Sequence, residues 1–112
     1  APALRPHNSG HWSQGGAVTG QSEQHLRAVA DLPLGSTAPR AAWSVMVNIL
    51  GGPVEGTLDE RFGAAMAEHP QAKIHTYGKA PRPGRKVGHV NVADDDLDDA
   101  VYVARAVAAH FD

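Results

Sequence analysis

"WSVMVNIL", residues 43–50, is the stretch on which the fold turns. Its valines and isoleucine carry branched Cβ atoms that suit a pleated strand, and Gly51-Gly52-Pro53 closes the run, so it is the clearest strand in the chain. Downstream, Thr57-Leu-Asp-Glu60 has capping-box spacing, which predicts a helix whose first amides are satisfied by the threonine hydroxyl and the glutamate carboxylate. Leu58, Phe62, Ala65 and Met66 then fall on one helical face, and His69-Pro70 ends a helix expected over about residues 58–69. Ala72–Tyr77 and Lys86–Val92 read as two strands around a basic loop. Within that loop, Arg82-Pro83-Gly84-Arg85 suits a type II turn, with proline at its second position and glycine at its third. The acidic run Asp94-Asp95-Asp96 opens a last helix over about 95–110, with Leu97, Val101, Ala104, Ala108 and Phe111 as its apolar stripe. Carboxylates at a helix start oppose the positive end of its dipole, so they read as a helix start rather than a metal site.

Upstream, the Pro, Gly, Ser and Thr content of Leu32–Ala42 marks a connector. Gln21 to Ala30 carries Leu26, Val29 and Ala30 on one face and reads as a short helix. Residues 1–12 start extended, because Pro2 and Pro6 disfavour helix, and turn at Asn8-Ser9-Gly10. The sum is an α+β chain. Its first strand has no sequence neighbour to pair with, which predicts either a larger domain or a homo-oligomer.

Composition bounds the rest. With 112 residues, 42% hydrophobic and 20% charged, the chain has the size of one globular unit. No apolar run approaches the length of a membrane span and no signal peptide is expected. The absence of cysteine removes thiol catalysis and thiolate metal sites and fits the cytoplasm. A formal net charge of −2 gives no general attraction to nucleic acid, so anion recognition must be local.

Two segments have the chemistry for it. Lys79, Arg82, Arg85 and Lys86 gather four of the ten cations on one loop stiffened by Pro81 and Pro83. Guanidinium groups take phosphate oxygens in pairs and lysine adds a point charge, so the loop suits a phosphate clamp; the alternative is a solvated hairpin tip. Arg5, His7, Asn8 and His11 surround a glycine turn that can hold a carboxylate or phosphate, or use histidine to move protons. The alternative there is that Asn8 and Ser9 simply close a turn on their own backbone. A His-x-x-x-His metal pair needs a helix, which Ser9-Gly10 disfavours. No metal ligands are assigned. His25, His75 and His89 read as structural, and His69 and His110 as cations at helix ends.

The segments "RPHNSGHW", "SEQHLRAV", "LPLGST", "VMVNILGG", "HTYGK" and "RPGRKVGHVNV" occur in the order and spacing of the C-terminal part of the 5-(carboxyamino)imidazole ribonucleotide synthetases, which belong to the ATP-grasp family. The chain resembles that family over nearly its whole length. The resemblance implies that residues 1–31 end an ATP-grasp domain and that residues 32–112 form a small β-rich C-terminal domain. It implies purine biosynthesis, in which ATP and Mg²⁺ activate bicarbonate and the carboxyl group passes to 5-aminoimidazole ribonucleotide. On it, Arg5, His7 and Asn8 line the substrate and phosphate site, and Lys79, Arg85 and Lys86 bind the substrate's phosphate. This chain corresponds to roughly the last third of such an enzyme, so by itself it is expected to hold neither ATP nor Mg²⁺. A family metal-binding glutamate falls on Ala1, and a serine, Ser22, replaces an apolar residue of the family's pattern.

Three readings follow. The first is a part of such a synthetase that needs its N-terminal ATP-grasp portion as partner. The second is a free-standing relative performing ATP-independent elimination, cyclisation or isomerisation on a phosphorylated or carboxylated small molecule, with His7 or His11 as proton carrier and Arg5 and the hairpin cations holding the substrate. The third is a non-catalytic anion-binding or dimerisation module.

Overall fold

The structure, a computed structural model, describes residues 4–53 and 55–112. Among the described residues three strands form one antiparallel sheet: β1 (Trp43–Leu50), β2 (Lys73–Thr76) and β3 (Lys86–Asp94), in the order β1-β3-β2. The chain is α+β, with the C-terminal helix packed on this sheet. β3 is central because every residue from Val87 to Val92 is buried, which suits a strand covered on both faces. Its register with β1 runs from Trp43 opposite Asp94 to Ile49 opposite Gly88, and an irregularity then brings Leu50 opposite Lys86. β2 and β3 are the expected hairpin, with Lys73 opposite Asn91 and His75 opposite His89. At the hairpin tip the Arg85 amide donates to the Arg82 carbonyl (3.0 Å) and Gly84 takes φ +74°, as a type II turn requires of its third residue.

The alternation of side chains splits the sheet into two unlike faces. Val45, Val47, Ile49, Ile74, Val90 and Val92 pack toward the helices α2 (Phe62–Glu68) and α3 (Leu97–Ala109). On the opposite face Asn48, His89 and His75 form one row across the three strands, and Met46, Asn91 and Lys73 form the next.

The capping box at the start of α2 is present. The Thr57 amide donates to a Glu60 carboxylate oxygen (3.3 Å), the Glu60 amide donates to the Thr57 hydroxyl oxygen (3.4 Å), and a 3₁₀ turn over Asp59–Arg61 leads into the helix. Asp96 caps α3 by accepting from the Asp99 amide (2.9 Å), so the acidic run starts a helix. Phe62 and Phe111 meet edge to face at 5.6 Å where α2 crosses α3. Two members of the expected stripes stay outside the core: Met66 is 50% and Leu97 40% exposed. In α3 the face that meets the sheet is Ala100, Val103, Ala104 and Val107, continued by Phe111 in the turn after the helix, one position round from the expected stripe. Its two alanines, wholly buried, let the helix axis come close to the strands.

The N-terminal third is held to the polar face of the sheet. Residues 4–7 form bends and coil rather than the expected strand, and the rest of that segment, residues 1–3, lies outside the described residues. Self-association argued from that strand therefore loses its premise; the open edges of the sheet belong to β1 and β2. A 3₁₀ turn over Asn8–Gly10 is followed by an irregular turn over Ser13–Gly16 and the helix α1 (Gln21–Val29). The connector returns along this segment through Val18 N–H to Ala38 O (2.9 Å) and Arg40 N–H to Gly16 O (2.8 Å). α1 buries none of its residues; Leu26 and Val29, which share one face, are 67% and 72% exposed.

Candidate functional site

The 3₁₀ turn is built by its own histidines. His7 is its N-cap, and its Nδ1 accepts from the Ser9 amide (3.3 Å), so histidine rather than Asn8 or Ser9 closes the turn. Asn91, pointing up from β3, then donates through Nδ2 to the carbonyls of His11 (2.7 Å) and Gln14 (3.0 Å). Those two bonds seat the turn on the sheet, and they place the His11 ring directly over the histidine row.

There, three imidazoles stack. His89 lies between His11 and His75, each at a centroid distance of 4.6 Å and with interplanar angles of 15° and 20°. His89 is 1% exposed, and its Nδ1 shares a 2.6 Å hydrogen bond with Tyr77 Oη. A charged ring in this stack would be desolvated beside other imidazoles. Burial, then His75 and His11, depress the His89 pKa from 6.5 to about 4. Burial also lowers His75, and burial followed by His75, His7 and Lys86 lowers His11. Burial raises the Tyr77 phenol, which stays protonated. At neutral pH the cluster is a set of uncharged donors and acceptors.

One hairpin cation reaches this cluster and a second acts on it through its charge. Lys79 Nζ sits 5.8 Å from the Tyr77 ring centroid, and Lys86 is close enough for its charge to depress His11. The structure thus brings Lys79, through Tyr77, to the stack that His11 joins, while Lys86, at the start of β3, acts on His11 through its charge. The other candidates face elsewhere. Arg5 donates to its neighbour's carbonyl, Pro6 O (3.1 Å), and lines an open cavity of about 640 Å³ with Trp12, Gln24 and His25. Arg82 lines a second cavity, of about 670 Å³, under the hairpin tip beside Gly51 and Gly52. Arg85 donates to Ala80 O (3.3 Å) and so stiffens the loop that carries Lys79. Asn8 keeps a buried side-chain oxygen without a partner.

The described residues do not fit a Mg²⁺ site. Asp94, Asp95 and Asp96 each accept a backbone amide, and no group of three His, Asp or Glu among the described residues converges on a point. The position of the family's metal-binding glutamate, Ala1, lies outside the described residues.

The family described as phosphoribosylaminoimidazole carboxylase C-terminal domain matches residues 44–102, which covers β1, the hairpin and the start of α3. The chain belongs to this family. Among curated relatives, the N5-carboxyaminoimidazole ribonucleotide synthase of Mycobacterium leprae is 54% identical over 101 residues, covering 86% of this chain and 23% of that protein. That of Mycobacterium bovis is 51% identical over 112 residues, covering 97% and 26%. The chain therefore spans about a quarter of the length of these relatives. Among solved structures, the phosphoribosylaminoimidazole carboxylase ATPase subunit of Aquifex aeolicus matches at TM-score 0.77 and 40% identity, over 96% of this chain and 32% of that one. An Aspergillus clavatus N5-carboxyaminoimidazole synthase, solved with ADP and 5-aminoimidazole ribonucleotide, matches at TM-score 0.76 and 36% identity, over 94% of this chain and 28% of that one.

Reading the residues singly misses how they come together. His75 and His89, expected to be structural, pack in one ring stack with His11. The signal lies in "GHVNV": a histidine and an asparagine two apart inside a buried valine run put two polar groups on one sheet face, where something must satisfy them.

Proposed function

We propose that this chain is the C-terminal part of an N5-carboxyaminoimidazole ribonucleotide synthase and that it supplies part of the binding site for 5-aminoimidazole ribonucleotide. The observation that carries the reading is the recurrence of the fold, over nearly the whole chain, in the Aspergillus clavatus enzyme bound to ADP and that nucleotide. Residues 1–31 then close an ATP-grasp domain and residues 32–112 form the small terminal domain, with the purine-pathway carboxylation carried out by the assembled protein. Lys79 and Lys86 hold the substrate phosphate, Arg85 stiffens the loop that carries Lys79, and His11 faces the reacting end, with Arg5, His7 and Asn8 on the segment that leads to it.

Lysine ammonium groups on a loop held by Pro81, Pro83 and the Arg85 to Ala80 bond bind an anion without losing much loop entropy. ATP enters through the N-terminal part of the longer protein. Exposed apolar side chains support a longer partner: Leu4, Leu26, Val29, Leu32 and Leu34 are all more than half exposed along the N-terminal third. Joining the chain to the N-terminal portion of a mycobacterial relative tests the reading. ATP hydrolysis dependent on 5-aminoimidazole ribonucleotide is the expected result; a soluble, assembled hybrid with none refutes it.

A further inference from the structure

The Gln21 side chain, at the start of α1, reaches back under the 3₁₀ turn. Its Oε1 accepts from the His7 amide (3.1 Å) and its Nε2 donates to the His7 carbonyl (2.9 Å). This two-point contact fixes which end of the amide is which, because the flipped group would set oxygen against oxygen and N–H against N–H. The same Nε2 lies 2.7 Å from His11 Nδ1. An amide nitrogen can only donate, so His11 Nδ1 must be an acceptor and the ring's single proton must sit on Nε2.

Rigidity supports the assignment. The Gln21 amide oxygen packs directly against Gly10, in the space a methyl group there would take. The Ser13 hydroxyl accepts from the Gln21 backbone amide (2.9 Å) and donates to Gly10 O (2.6 Å), tying the base of the helix to the same turn. Asn91 holds the His11 carbonyl, and the His89 ring covers one face of the imidazole.

We propose that His11 is locked by Gln21 as a neutral imidazole with its proton on Nε2, and that it serves the anionic substrate as a fixed hydrogen-bond donor rather than as a proton carrier. Gln21 is then a positioning residue. The inference rests on the site reading above and narrows it, since a general base would need the Nδ1 lone pair that Gln21 already occupies. Protonation of Nδ1 would set N–H against N–H. The surroundings oppose it too: Lys86 from β3, His75 from β2, His7 from the turn and the buried His89 and Tyr77 offer His11 no carboxylate.

Two-bond ¹⁵N–¹H correlation spectra of the labelled chain read the tautomer directly. At pH 7 His11 should show a protonated Nε2 and a bare Nδ1; a proton on Nδ1 overturns the proposal. Gln21→Glu replaces the amide donor by a carboxylate that can accept, so His11 should then carry protons on both nitrogens at pH 7; an unchanged ring pattern in the folded variant also overturns it. In a synthase carrying this chain as its C-terminal part, His11→Gln keeps an N–H donor near the same point. It should hold KM for 5-aminoimidazole ribonucleotide within about threefold, whereas His11→Leu should raise it about tenfold or more. Loss of kcat in both variants with KM unchanged is the signature of a proton carrier and refutes the donor role. If His11→Leu leaves both constants unchanged while the tautomer is as stated, His11 does not donate to substrate. Failure of the wider site reading would show separately, as a Lys79→Ala enzyme with unaltered KM.

Discussion

Acid should unfold this protein through His89. The ring is 1% exposed, between two other imidazoles, and its pKa falls from 6.5 to about 4 on folding. A depressed histidine pKa means that the folded state binds fewer protons than the unfolded chain. Stability from this group is therefore complete above pH 6.5 and is lost as pH falls toward 4, at about 1.4 kcal/mol per pH unit. Between pH 7 and pH 4.5 the loss from His89 alone is about 2.5 kcal/mol, a large fraction of a small domain's stability. His89→Phe removes the titrating group while keeping a buried ring. Urea unfolding followed by the fluorescence of Trp12 and Trp43 at the two pH values gives the comparison. The decrease in unfolding free energy from pH 7 to 4.5 should be about 2.5 kcal/mol smaller in the variant than in the parent. What matters is this difference, so any loss of packing or of the Tyr77 bond, common to both pH values, cancels. Equal decreases in the two proteins would refute the claim that the stack excludes a charged His89.

Two further substitutions test how the stack is assembled. A Cβ on Gly88 would collide with the backbone oxygen of His75 on the adjacent strand, so Gly88→Ala should force β2 away from β3 and cost about 1–3 kcal/mol in urea unfolding, with the hairpin amides losing hydrogen-exchange protection first. Asn91→Asp presents a carboxylate to the two carbonyl oxygens of His11 and Gln14 where the amide donated. It should speed exchange of the amides from Gly10 to Ala17 and destabilise by about 1–3 kcal/mol at pH 7, less at pH 4 where the acid can donate.

Local chemistry is legible in the sequence and long-range pairing is not. The Thr57 and Glu60 cap, the Arg82–Arg85 turn and the hairpin depend on residues three to eighteen apart, and each is where its side chains put it. The expected strand before Asn8 rests on two prolines that disfavour helix, but disfavouring helix does not supply a pairing partner, and residues 4–7 have none. α3 offers two adjoining apolar stripes, and only the sheet decides between them: the stripe with Ala100 and Ala104 allows the closer approach. The histidine stack is least legible because His11, His75 and His89 come from three elements, joined by the register of β2 on β3 and by the reach of Asn91 to the turn. His11 stands out within its own segment, and its surroundings do not.

The functional reading depends on hairpin cations and the N-terminal turn serving one anionic substrate. The most direct test is the KM for 5-aminoimidazole ribonucleotide of a synthase carrying this chain as its C-terminal part, with and without Lys79→Ala. A rise of about tenfold or more is predicted, as expected for loss of a charge-assisted contact, with the KM for ATP unchanged. An unchanged KM for the nucleotide in the folded variant would contradict the shared site.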